Sequence, residues 1–410
     1  MQSNMQTQAK DNDTIPDISL QKVESFLSQH NSFCLLDWLL SENIIAYHDY
    51  ENWRYGKIDV LQENAGLSEK ALQNTRTQMQ KISQSLGLEA DQQELHCWDK
   101  TQAKLLKFSS NTQIHHAVTA HWMRSQDIPQ MDLFMDNTAV VVENTLHHAL
   151  SARDFSEAQK LLTQLTALNA KHAKLGVYRD LILYGEYIAK VENIDAADIE
   201  AELDGLALEV TPLAKEALGM NARDFLAFAW RRLSQNLQVN YQPGGSNSKL
   251  HPAYALIQIP DWNGAYTLLL EDEALAHNKE LLLYFAQCCE QLKLTNALVF
   301  AWSKLFDLDP EFAETSIESR QHPQLWHQWQ DYWEKFEEAP AQYFAAYLMA
   351  KNAGIVHHKI EKLPLNSNAL SAMLEALSIE IIDKDMVKAR SIVQQVDPQL
   401  LGIYFGVRGK

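Results

Sequence analysis

The chain has 410 residues with only 14 Gly and 11 Pro, 46% hydrophobic residues and a formal net charge of −18. So few turn-forming residues exclude a many-stranded sandwich, a collagen or a low-complexity linker, and predict a mostly helical protein of two or three domains. The acidic balance argues against non-specific binding to nucleic acid or to an anionic membrane surface.

The first residues lack the apolar stretch of a secretory signal, and no apolar run approaches the roughly 18 residues of a membrane span. Neither secretion nor a membrane partner is expected. Four cysteines, Cys34, Cys97, Cys288 and Cys289, without a Cys-x-x-Cys pair, fit a reducing cytoplasm. Residues 1–19 are polar and aperiodic and read as a disordered tail.

From Ser32 to Tyr55 the apolar positions Leu35, Leu36, Leu39, Leu40, Ile44, Tyr47 and Tyr50 recur at helical spacing, with Gly56 placed to end the helix. A short helix over about 58–65 stops near Gly66. The next starts with Ser68 as cap, carries Leu72, Thr75, Met79, Ile82 and Leu86 on one face, and closes at Gly87. The period then changes to two. Glu94–Trp98 and Lys104–Phe108 read as the strands of a hairpin. Helices followed by a hairpin give residues 20–111 the order of a winged-helix-like module, with the hairpin as its wing.

Beyond Ser110 the pattern is helical almost throughout. The flexible composition of Tyr241–Ser248 divides a first helical region (112–240) from a second (249–410). Within them a unit recurs. Asp154-Phe155-Ser-Glu-Ala158 is followed by Leu162 and Leu165, Asp261-Trp262-Asn-Gly-Ala265 by Leu269, and Asp385-Met386-Val-Lys-Ala389 by Val393 and Val396. The Asp suits a helix cap, the Ala permits close helix approach, and the later residues share a face. Trp302, 33 residues after Leu269, falls near the same slot.

This pattern resembles the tetratricopeptide repeat, whose helix pairs recur at about 34 residues. The copies are unevenly spaced, and Leu146 stands where that family prefers a small residue. The resemblance implies an irregular α-helical solenoid whose groove binds peptides or partner proteins. The expected fold is therefore mainly α, a tetratricopeptide-like array behind a small winged-helix-like module.

Little in the chain points to catalysis. The pairs His115-His116, His147-His148 and His357-His358 diverge by about 100° on a helix and predict no metal site. The acidic runs Glu271–Glu273 and Glu337-Glu338 read as solvated charge. No Gly-rich phosphate loop or Gly-x-Ser-x-Gly occurs. The expectation is no enzyme, no catalytic residue and no cofactor. Trp326, Trp329, Trp333 and Phe336 form an aromatic stripe that reads as core. Tyr47, Tyr50, Trp53 and Arg54 combine the residue types of binding hot spots and are read as a candidate interaction patch.

One short segment is more specific. Gln130-Met131-Asp132-Leu133-Phe134 resembles the pentapeptide Gln-Leu-Ser/Asp-Leu-Phe by which bacterial replication and repair proteins bind the DNA sliding clamp. Met131 replaces the first Leu. The resemblance implies that Gln130 hydrogen-bonds to the clamp while Met131, Leu133 and Phe134 fill its apolar pocket. The competing reading is that these residues close over the core. Between Trp53 and Phe108 eight basic residues stand against seven acidic ones, a net of +1, and Lys100, Lys104 and Lys107 lie where a wing would meet phosphate. Three functions stay open: an adaptor that binds partner proteins through the array, a DNA-maintenance factor recruited to the clamp, and, against the expectation of no catalysis, an enzyme with a site on the concave face of the array.

Overall fold

The structure, a computed structural model, describes residues 15–30, 32–92, 94–98, 104–124, 136–242, 247–320, 323–336, 339–352, 363–378 and 384–408. These residues are mostly helical and form two compact units. The first comprises residues up to Asn236 together with Ile259–Asp261, and the second Leu237–Gln258 with Trp262 onward. The division falls within the helix Ala222–Asn240, just ahead of the Tyr241–Ser248 segment.

In the first unit the single helix expected over Ser32–Tyr55 is split. Phe33–Cys34 is a short strand, β1, followed by helices Leu35–Ser41 and Tyr47–Arg54. Asn43 adopts φ 51°, and the carbonyl of Leu39 accepts the amides of both Ile44 and Ile45. Asn tolerates this left-handed turn, which periodicity does not register. The helix Glu69–Leu86 forms as expected. Ser68 Oγ accepts the amide of Ala71 at 3.2 Å, and Gly87 closes the helix at φ 62°, a conformation a Cβ would strain. Residues ahead of Leu20 are not all tail, because Ile18 is buried and its amide reaches Gln78 Oε1 at 3.1 Å.

Among the described residues, the expected hairpin shows one bridge, His96 opposite Leu105, and residues 99–103 lie outside them. The hairpin's two halves join through Cys97 N to the carbonyl of Lys104 and Leu106 N to that of Leu95, and are also tied elsewhere: Trp98 N donates to the carbonyl of Arg54, and Gln62 N to that of Phe108. Their alternation encodes burial of Cys97, Leu106 and Phe108 rather than a long ladder. Regular pairing lies instead in an antiparallel sheet ordered β1–β3–β2, where β2 is Leu88–Gln92 and β3 is Ala120–Arg124. Neither strand shows alternating burial: β2 buries only Leu88 and β3 only Ala120. This three-stranded sheet stands in addition to the His96–Leu105 bridge.

The helices Asp136–Ser151, Phe155–Leu168 and Leu175–Lys190 pack consecutively through short loops, as an antiparallel array requires. Asp154 accepts the amide of Glu157 at 3.0 Å, and Phe155, Ala158, Leu162 and Leu165 are buried, as the recurring unit predicts. A Cβ on Gly185 would overlap the Phe155 ring, so the two helices touch through bare backbone there.

The second unit continues with consecutively packed helices, among them Trp262–Glu271, Lys279–Gln291 and Thr295–Leu308. Ala265 and Leu269 are fully buried, matching the second copy of the unit. In the third copy Val393 is buried but Val396 is exposed. The expected linker is ordered at both ends: the Tyr241 ring meets His251 edge-on at 4.9 Å, and Ser248 is buried. Of the aromatic stripe, Trp329 is core, packed with Phe306, Tyr332 and Phe344, while Trp326, Trp333 and Phe336 are only half-buried. Among the described residues no helix is long and apolar enough to cross a membrane.

Candidate functional site: a charged cavity beside the sheet

A cavity of about 110 Å³ opens in the first unit beside β1 and β3. Each wall follows from local structure. Cys34 lies directly opposite His121 in the antiparallel register, so both side chains share one face. Asp37 sits in the first turn of Leu35–Ser41, three residues after Cys34. Tyr50 and Arg54 are one helical turn apart on Tyr47–Arg54 and project together. Arg223 and Asp224 open the helix Ala222–Asn240, and His148 and Ser151 come from the end of Asp136–Ser151.

Charge is paired within this wall. Arg54 Nη1 lies 2.6 Å from Asp224 Oδ2, and the Tyr50 hydroxyl donates to the same carboxylate at 2.9 Å. Arg223 bridges Asp224 through Nε at 3.2 Å and Asp37 through Nη1 at 2.9 Å. Trp98 lies between two guanidiniums, its ring centroid 4.6 Å from Arg54 and 3.8 Å from Arg153. Burial alone would raise the Asp224 carboxyl, but Arg54, Arg223 and the Tyr50 hydroxyl together hold it below its ordinary value. Burial pushes the Tyr50 phenol up to about 12 and, with the Asp37 carboxylate, the Cys34 thiol well above its usual range. Burial, with His121 nearby, lowers His148. The arginines and the two aspartates thus neutralise each other, which leaves Cys34, His121 and His148 as donors outside the ion pairs.

The proposed interaction patch is interior. Tyr47, Tyr50, Trp53 and Arg54 are all at most 4% exposed, and Trp53 Nε1 donates to the carbonyl of Lys107 at 3.1 Å. Their aromatic and cationic character serves packing and the ion-pair network, so this reading is corrected; only Tyr50 and Arg54 reach the cavity. Lys104 is engaged by Asp59, while Lys107 is exposed. Lys100 and the segment Gln130–Phe134 lie outside the described residues.

Sequence reasoning missed Cys34, Asp37, His121, Arg223 and Asp224. Cys34 and His121 are far apart in the chain and meet through sheet register alone. Arg223-Asp224 did carry a signal: a charged pair set against Phe225, Leu226, Ala227, Ala229 and Trp230, all buried, marks a helix whose charges point inward.

No protein-family model matches the chain, and comparison with curated proteins and with solved structures likewise finds no match.

Proposed function

We propose that this protein is a non-catalytic adaptor of the cytoplasm whose irregular, tetratricopeptide-like helical array holds a partner protein. The observation that carries the reading is the recurrence of an Ala-containing helix preceded by Asp, at Asp154–Leu165 and again at Asp261–Leu269, each packed on its sequence neighbours. Such consecutive packing leaves one face of each helix for a partner. On Leu175–Lys190 that face shows Leu183 and Tyr187, 56% and 45% exposed and one turn apart. Photo-crosslinking from positions 183 and 187 in the native host should capture one recurrent protein. Its purified form should bind the wild type and lose at least tenfold in affinity with Leu183→Arg. A partner that binds that variant equally well overturns the assignment to this face.

A second reading rests on the pentapeptide Gln130–Phe134, which connects β3 to the helix beginning at Asp136. In that reading the protein is a bacterial DNA-maintenance factor recruited to the sliding clamp. Purified clamp should then bind the full chain, and Gln130→Ala with Phe134→Ala should abolish the complex. Contact with DNA through Lys100, Lys104 and Lys107 should appear as salt-sensitive binding of duplex DNA that Lys107→Ala weakens. Equal binding by the double variant removes the clamp reading.

A further inference from the structure

We propose that Cys34, Asp37 and His121 bind one divalent transition-metal ion of the zinc type, with the remaining coordination position facing the cavity. One donor atom from each lies within 4.8 Å of the others, and all three residues line the cavity wall. A tetrahedral zinc site with bonds of about 2.0–2.3 Å holds its donors roughly 3.3–3.8 Å apart, so closure needs side-chain movements of about 1 Å.

The juxtaposition comes from the backbone. Antiparallel register sets Cys34 against His121, and the helix that begins at Leu35 turns Asp37 back over Cys34. A sulfur, an imidazole nitrogen and a carboxylate oxygen form a mixed donor set that suits zinc better than magnesium or calcium, which prefer oxygen alone. Charge also fits. The Cys34 thiolate offsets half of a dication's charge, and the Asp37 carboxylate is shared between the ion and Arg223, which lowers the cost of holding the ion in a mostly buried place.

Surrounding groups support the donors. Arg223 lies 2.9 Å from Asp37 Oδ1 and orients the carboxylate from outside the donor set. The Cys34 thiol lies 3.5 Å from the Val118 carbonyl, to which it donates; on binding, the S–H bond breaks, a sulfur–metal bond forms and the proton leaves to solvent. Three protein ligands beside a cavity of about 110 Å³ describe a site that keeps one position for water or a small exogenous ligand. No redox change is involved.

The test uses the full chain, stripped with a chelator and titrated with cobalt(II) under reducing conditions. The expected result is one equivalent bound, with a thiolate-to-cobalt charge-transfer absorption that zinc(II) displaces. Cys34→Ser should remove that absorption. His121→Gln, which keeps the thiol, should weaken binding by more than about a hundredfold. Cys97→Ser, at a buried cysteine away from the cavity wall, should change neither. Circular dichroism identifies any variant that fails to fold, and His121→Gln then decides for Cys34→Ser. Absence of stoichiometric binding, or a charge-transfer band that survives in Cys34→Ser, overturns the proposal. Because the readout is metal uptake, it is independent of whether the array binds a partner.

Discussion

The two units solve the problem of filling an interior in different ways. In the first, Arg54, Arg223, Arg231 and Arg232 are matched to Asp224, Asp37, Glu51, Asp261 and Glu202 at 2.6–3.2 Å, several of these groups being nearly inaccessible to solvent. In the second, Phe306, Trp329, Tyr332, Phe344 and Tyr347 interlock with neighbouring ring centroids about 5–6 Å apart. A ring cluster gains from area and shape and tolerates adjustment. A buried charge network depends on every member, since loss of one partner leaves another charge desolvated and unpaired. The first unit adds a few obligatory ion pairs to its apolar core, whereas the ring cluster of the second consists of many interchangeable contacts.

The largest expected effect tests that contrast directly. Asp224→Ala strands Arg54, leaves Arg223 with Asp37 as its remaining carboxylate, and should cost the first unit about 3–5 kcal/mol in denaturant unfolding. Replacing Arg54 and Asp224 together by Met and Leu should recover a good part of this, because no charge is then left unpaired. A single substitution as mild as the double one would break the comparison. Because the Asp224 carboxyl is held below its ordinary value, its contribution is complete above the unfolded value near 4 and is lost as pH falls through the folded one.

Acid reaches the second unit by another route. His251 is 1% exposed, and burial lowers it to about 4 even though Asp272 lies 3.4 Å away. It is neutral in the fold, while the unfolded residue takes up a proton below about 6.5. Stability is then full above that value and declines as pH falls toward 4, by an amount on the order of 3 kcal/mol at full expression. His251→Gln should flatten the decline in exchange protection of Pro252–Gln258. In the first unit His147, also lowered to about 4 by burial, acts in the same sense.

Backbone packing comes next. Gly185→Ala pushes a methyl group into the Phe155 ring, with Cδ1 only 2.8 Å from the new carbon, and should cost about 1–3 kcal/mol in thermal unfolding. The smallest effect should be indifferent to the contrast between the units. Ser68→Ala in the first and Asn278→Ala in the second each remove a helix cap and should cost about 1 kcal/mol. Unequal costs would mean that cap strength depends on the kind of interior behind it.

Much of the helical framework was legible from the chain. The Ser68 cap, the stops at Gly56, Gly66 and Gly87, the Asp154 cap and the buried Phe155–Leu165 face are local, so periodicity and capping residues expose them. The core role of Trp329 follows from the same logic. The break at Asn43 was not legible, because the apolar spacing runs on across it.

Beyond this local grammar lies everything that depends on distant segments meeting. The strands β2 and β3 carry no alternating burial, because their order comes from each other and from β1 rather than from a two-sided burial pattern. Tyr47, Tyr50, Trp53 and Arg54 have the composition of a binding surface, yet burial is decided by what packs on them: Asp224, distant in sequence, accepts from both Tyr50 and Arg54. The cavity, and the meeting of Cys34 with His121, exist only through sheet register. By itself the sequence determined a helix-rich, acidic chain and where most of its helices start and stop, since propensity and capping act within a few residues. Only the tertiary structure decided which charges are interior and which donors converge, because burial and register are set by long-range pairing that no local window contains.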